Sequence, residues 1–177
     1  MANKRKGEPK YEFITFLEEN VDDRALMASL RRGLALPKGQ SAEVSRVVQC
    51  WLSLDSPRWL EDAYYSVAPL FGLHHDEIAD KGNMGAHFRE LCPAGEEIPT
   101  NVERRFMQLL SSDANTLDDS LRQSISLLKS KEVGVNWQQL LDDVIAWKHT
   151  EERRDHVRLD WSRAFWRTEQ ENNQPKI

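Results

Sequence analysis

Ser56-Pro57-Arg58-Trp59-Leu60-Glu61-Asp62-Ala63-Tyr64-Tyr65-Ser66-Val67-Ala68-Pro69-Leu70-Phe71 decides the fold of this chain. Serine followed by proline is a helix start. The hydroxyl can cap a free N–H, and proline's fixed φ suits the first helical position, where its missing N–H costs nothing. Ala63, Tyr64, Val67, Ala68 and Phe71 then recur on one side at helical spacing. Pro69 is expected to kink this helix late.

The same pattern extends in both directions. Upstream, residues 11–20 carry Phe13, Phe16 and Leu17 at helical spacing. Asp22 or Asp23 can cap a second helix, with Leu26 and Leu30 inward and Gly33 placed to end it. Val44, Val47, Val48, Trp51 and Leu52 mark a third. Downstream, residues 74–82 read as a loop, and Asn83 can cap a short helix through Phe88 and Leu91. Thr100-x-x-Glu103 has the form of a capping box opening a helix through Phe106, Leu109 and Leu110. Leu121, Ile125 and Leu128 mark another helix over 117–130, and Asn136 starts the next, with Leu140, Leu141, Val144, Ile145 and Trp147 apolar. Residues 150–168 place Val157, Trp161 and Phe165 on one stripe.

No segment alternates with period two between hairpin turns. The expected fold is all-α, about eight helices in one compact domain made of two packed helical bundles. The prolines and glycine of residues 92–99 divide an N-terminal helical half (11–92) from a C-terminal half (100–168). Residues 1–10 are expected to be a flexible basic leader and 169–177 a polar tail.

Composition narrows the function. The chain has 177 residues, 40% hydrophobic and 30% charged, with a formal charge of −5. That length can bury a sizeable core, and the net acidity argues against general coating of nucleic acid, so any such surface must be a patch. Cys50 and Cys92 have neither metal-ligand spacing nor a disulfide framework, and read as reduced thiols. Residues 1–10 contain no apolar signal region and no run is long enough to span a bilayer, so a cytoplasmic location is expected.

A patch is available. Arg31-Arg32 closes one helix, where positive charge suits the negative end of the helix dipole. Arg104-Arg105 is expected in a first helical turn, where positive charge opposes the dipole, a local conflict that favours function. Arg122 and Lys129, seven apart, share a helix face, with Lys131 just beyond. Guanidinium on a rigid helix grips phosphate bidentately. The bland account of the same residues is a solvated face with ion pairs to nearby carboxylates.

Other chemistry finds less support. His74-His75-Asp76, with His87 and Asp80, can be read as part of a metal-dependent phosphohydrolase, but the further ligands lack convincing spacing, and polar loop residues are the simpler account. No nucleophile elbow and no phosphate-cradling glycine loop occurs. Asp118-Asp119 and Asp142-Asp143 read as solvated faces, since adjacent helical residues point apart. Most of the six tryptophans fall on apolar stripes, whereas Trp59 and Trp166 lie off them and can face a partner. No catalytic residue, metal or cofactor is expected, and no small-molecule substrate.

Several segments taken in order resemble one family: Leu30-Arg31-Arg32-Gly33, Ser56-Pro57-Arg58, Gly82-Asn83-Met84-Gly85 with Phe88-Arg89-Glu90-Leu91, Glu103-Arg104-Arg105-Phe106-x-x-Leu109-Leu110, Leu121-Arg122 with Leu127-Leu128-Lys129-Ser130, and Val135-Asn136-Trp137 before Leu140-Leu141 and Trp147. The chain is similar, nearly throughout, to CasB, the small "belly" subunit of the type I-E CRISPR Cascade surveillance complex. The resemblance implies a non-catalytic helical subunit, present as two copies along the inside of Cascade beside the large subunit and the backbone subunits that hold guide RNA. It implies a basic surface that helps hold target DNA and the displaced strand of the R-loop. Carried onto this chain, that surface comprises Arg31, Arg32, Arg58, Arg104 and Arg105, and spacing adds Arg122, Lys129 and Lys131. A purely structural adaptor, its arginines bound to acidic protein surfaces and its exposed tryptophans anchoring the interface, is the alternative.

Overall fold

The structure, a computed structural model, describes residues 9–92 and 97–167. Most of the expected leader, the polar tail and residues 93–96 lie outside the described residues. Nine α-helices are present among those described: α1 (Pro9–Glu19), α2 (Arg24–Arg32), α3 (Ala42–Val48), α4 (Arg58–Leu73), α5 (Met84–Glu90), α6 (Thr100–Leu110), α7 (Leu117–Ser130), α8 (Trp137–His149) and α9 (Glu151–Trp166). Single 3-10 turns follow α2 and α3. The only strand-like feature among the described residues is an isolated parallel bridge between Ile78 and Val135. The fold is all-α.

Local chemistry sets most helix starts. Asp23 accepts from the Leu26 N–H at 2.9 Å, Asn83 from Ala86 at 3.1 Å, Asn136 from Gln139 at 3.1 Å and Thr150 from Arg153 at 3.3 Å. Each side-chain oxygen satisfies a donor that the first turn leaves open. Three expectations differ in detail. Pro57 itself occupies the N-cap of α4, because the Ser56 hydroxyl is engaged by the Ser53 N–H at 3.0 Å. Thr100 and Glu103 form no capping box: the Pro99 carbonyl receives the first N–H bonds of α6, so Thr100 already lies inside the helix. Gly33 ends α2 in right-handed geometry (φ −57°) and passes into a 3-10 turn. Glycine is required there for space, since a Cβ would sit 2.6 Å from Cγ2 of Val44.

Helix α4 is the hub. α2, α3, α7 and α8 all pack on it, and α8 in turn carries α9, which packs on α5. One continuous core results. Phe13 packs tilted against Tyr64 (ring centroids 4.8 Å apart), Phe71 against Trp137 (5.2 Å), Trp147 against Trp161 (5.0 Å) and Phe106 against Phe165 (4.2 Å). Full burial of side chains this large contributes roughly 1.5–3 kcal/mol each. At the α5–α9 crossing, a Cβ on Gly85 would lie 1.9 Å from the Trp161 carbonyl oxygen, so only glycine permits that approach. No helix among the described residues is long and apolar enough to cross a membrane.

Candidate nucleic-acid interface

The expected basic residues fall into one main group with outliers. Arg31 and Arg32 form the exposed last turn of α2, and Arg32 donates to the Ser29 hydroxyl at 2.8 Å. The backbone of Arg31 crosses α4 at Gly72, where an added Cβ would come within 2.7 Å of the Arg31 nitrogen. Just past α2, the Leu34 carbonyl accepts from Nη1 of Arg122 on α7 at 3.0 Å. Arg122 shares an open depression of about 500 Å³ with Arg105, Asp119, Gln123 and Ser126, and Arg105 donates to the Gln123 amide oxygen. Arg104 stands exposed on α6 beside it. Arg122 and Arg105 thus meet between α7 and α6, Arg104 is next to Arg105 on α6, and Arg31-Arg32 precede by two residues the Leu34 carbonyl that Arg122 engages, with Asp119 and the Glu43 carboxylate near Arg32 as counter-charges.

Arg104 and Arg105 lie in the second turn of α6, because that helix begins at Thr100. The expected conflict with the helix dipole is therefore weak, and their standing rests on their neighbours. Lys129 is committed: Nζ donates to the Leu73 carbonyl at 2.6 Å, capping the C-terminus of α4, and lies 3.4 Å from Asp76. Lys131 is exposed at the C-cap of α7. Arg58 is apart, at the other end of α4, about 22 Å along the helix from Leu73 at 1.5 Å per residue. It borders a separate depression with Lys38, Gln49, Glu61 and Tyr65.

The histidines have structural duties. His74 is buried, its Nε2 2.7 Å from the Val133 carbonyl, and His87 is buried with Nε2 accepting the Asn136 N–H at 3.1 Å. Both imidazoles fasten the 133–136 segment, so His74 is no loop ornament. Among the described residues no three His, Cys, Asp or Glu side chains converge as metal ligands. Cys50 is exposed, Cys92 buried, and both are free.

The solvated-face reading of the acidic pairs fails at Asp118 and Asp143. Asp118 sits between Lys38 and Lys148 (3.1 Å), accepts from Ser66 at 2.6 Å, and joins the 37–41 segment to α4, α7 and α8. Burial opposes its charge, but Lys148 and Lys38 outweigh that and hold its carboxyl below the usual range. Asp143 is buried and accepts from Trp161 and Gln139, and Asp142 pairs with Lys10 at 2.7 Å. A third doublet, Arg153-Arg154 at the start of α9, escaped the sequence reading although the same two-arginine signal marks it. Arg154 is spent on the Trp147 carbonyl at 3.3 Å, and Arg158 donates to the Ser112 carbonyl at 2.7 Å. Trp59 packs on the His149 ring at 4.2 Å, whereas Trp166 remains exposed.

Known proteins share this fold. Residues 26–166 match the family described as CRISPR-associated protein Cse2. A curated relative, the CRISPR-associated protein Cse2 of Thermus thermophilus, is 27% identical over 161 residues, covering 90% of this chain and 89% of its own. The crystal structure of CasB from Thermus thermophilus superposes with a TM-score of 0.73 at 28% identity, covering 90% of this chain and 98% of that one. A chain from a CRISPR RNA-guided surveillance complex has the same fold, with a TM-score of 0.72 at 19% identity over 89% of this chain and 93% of its own. With the family match extending from α2 to the end of α9, the chain belongs to the CRISPR-associated protein Cse2 family.

Proposed function

We propose that this protein is a non-catalytic, cytoplasmic subunit of a type I-E CRISPR Cascade complex. There it binds nucleic-acid backbone and stabilises the R-loop between guide RNA and target DNA, including the displaced strand. The arginine succession across α2, α7 and α6 carries the reading. Arg31, Arg32, Arg104, Arg105 and Arg122 project from adjoining elements, and only part of their charge is answered by Asp119 and Glu43. Lys129, its charge already engaged, Lys131 at the C-cap of α7 and Arg58 at the far end of α4 are outlying members of the proposed surface. Family membership supports the setting, as does the likeness to a surveillance-complex chain.

The mechanism is electrostatic. Exchange of a DNA duplex for an RNA–DNA heteroduplex is nearly balanced, in single-protein and multi-subunit effectors alike, so modest protein–backbone attraction tips it. Each arginine on a phosphate releases condensed counterions and grips without reading sequence. Base pairing with the guide supplies the address. Because the chain is net acidic, the other subunits and a second copy of the chain set the high local concentration of nucleic acid that the patch needs. The proposed partners are therefore the backbone and large subunits, guide RNA, target DNA and that second copy.

Photo-crosslinking from the displaced strand of a reconstituted complex tests this against the adaptor alternative. Crosslinks to α2, α6 or α7 are expected. Crosslinks to every neighbour but none to this chain would leave only an adaptor.

A further inference from the structure

The arginine surface ends in an exposed aromatic ring that the backbone-gripping role does not use. Trp166, the last residue of α9, is 39% exposed, and Met107 on α6 is 53% exposed. The indole makes edge contacts with Phe106 (5.3 Å, 67°) and Phe165 (5.1 Å, 77°). Its N–H donates to the Glu103 carboxylate at 3.3 Å. The ring is thus fixed by three neighbours while much of its surface meets solvent.

The α6 helix relates this ring to the arginines. Val102, Phe106 and Leu109 are its buried stripe. At about 100° per residue, Glu103 falls on one flank and Arg105 on the other, with Met107, Arg104 and Gln108 along the crest between. Glu103 touches Trp166 and Arg105 touches Gln123, so the order across the surface is Trp166, Met107, Arg104, Arg105, Arg122. The separation from ring to Arg105 is about one helix diameter, 10–12 Å. Exposed Arg167 follows Trp166 in the chain. A fixed aromatic ring on the same face as a row of cations is the composition of surfaces that bind single-stranded nucleic acid, where bases stack and phosphates pair with charge. The Glu103 carboxylate keeps phosphate off the indole edge, which leaves the ring to a base.

We infer that Trp166, held by Phe106, Phe165 and Glu103 at the edge of α6, is a stacking platform for an unpaired base. It would give the arginine surface a preference for single-stranded over fully paired nucleic acid. The inference rests on the backbone-binding reading and adds to it a site that recognises bases without regard to identity. A base held in a duplex has no free face to offer, so the ring acts only on an unwound strand.

The test measures binding of the full chain at low salt to a thymidine oligonucleotide and to an abasic oligonucleotide of the same length. Wild type should prefer the thymidine strand by roughly 5- to 100-fold, one base's worth of stacking. Trp166→Leu should lose that preference and Trp166→Tyr should keep most of it. Arg105→Ala with Arg122→Ala should weaken both ligands together. Equal affinity of wild type for the two strands overturns the inference and leaves the backbone reading standing, and that comparison decides even if W166L fails to fold. A W166L variant that keeps the preference but assembles poorly with other subunits overturns it in favour of a protein contact. Binding to neither strand at low salt overturns the platform, which requires the chain's own surface to hold a strand, and leaves the backbone reading to be decided in the assembled complex.

Discussion

The Trp161 indole N–H donates to Oδ2 of Asp143 at 2.6 Å, tying α9 to α8 inside the core, while Gln139 serves the other carboxylate oxygen at 2.9 Å. Burial pushes the Asp143 carboxyl up to about 6 from an ordinary 3.8. Between those values the folded chain binds the proton ahead of the unfolded one, so acidification stabilises through this group. His87 has the opposite sign. Burial holds its imidazole down at about 4 against 6.5, so the unfolded chain is protonated first and the same acidification destabilises. Asp143→Asn removes the first contribution and leaves the second. Its melting temperature should fall more steeply than that of wild type from about pH 6 to 4, whereas His87→Gln, able to accept the same Asn136 N–H, should fall less steeply. Parallel curves for all three proteins would contradict the assignment.

Asp118 should matter far more than its neighbour Asp119. Lys148 is only 5% exposed and depends on Asp118 for its counter-charge. Removing one partner of a buried pair strands the other, at a cost of about 3 kcal/mol. Urea denaturation of Asp118→Ala should show that loss, and Asp119→Ala should stay within about 0.5 kcal/mol of wild type.

The basic residues should separate into two kinds. Lys129→Ala removes the cap of α4 and should cost about 1.5–3 kcal/mol, the range for a hydrogen bond to a charged group. Arg32→Ala with Arg105→Ala should leave the denaturation midpoint nearly unchanged, because Arg32 is exposed and the half-buried Arg105 makes only a surface bond to Gln123. The same double change should weaken retention of target DNA by the assembled complex at moderate salt. Unchanged retention would contradict the proposed interface, and insoluble protein would assign both arginines to structure.

Legibility followed sequence distance. Starts of α2, α5 and α8 could be read because an Asp or Asn cap acts within three residues. Thr100 misled because the spacing of a capping box says nothing about which carbonyl receives the first helical N–H, and Pro99 takes that place. Asp118 and Asp143 looked solvated because their partners lie far away in sequence: Lys38 and Ser66 for one, Trp161 for the other. For the same reason the doublets Arg31-Arg32 and Arg104-Arg105 were visible, whereas their meeting through Leu34, Arg122 and Gln123 was not. Lys129 carried the right charge in the right helix, yet the Leu73 carbonyl that engages it is 56 residues away.

The measurement that tests the central claim most directly is dissociation of labelled target DNA from reconstituted Cascade, with and without this chain, at matched salt. The account predicts faster release without it, and release between those limits when Arg32→Ala and Arg105→Ala replace wild type. Identical release rates with and without the chain would contradict R-loop stabilisation and leave assembly as its only role.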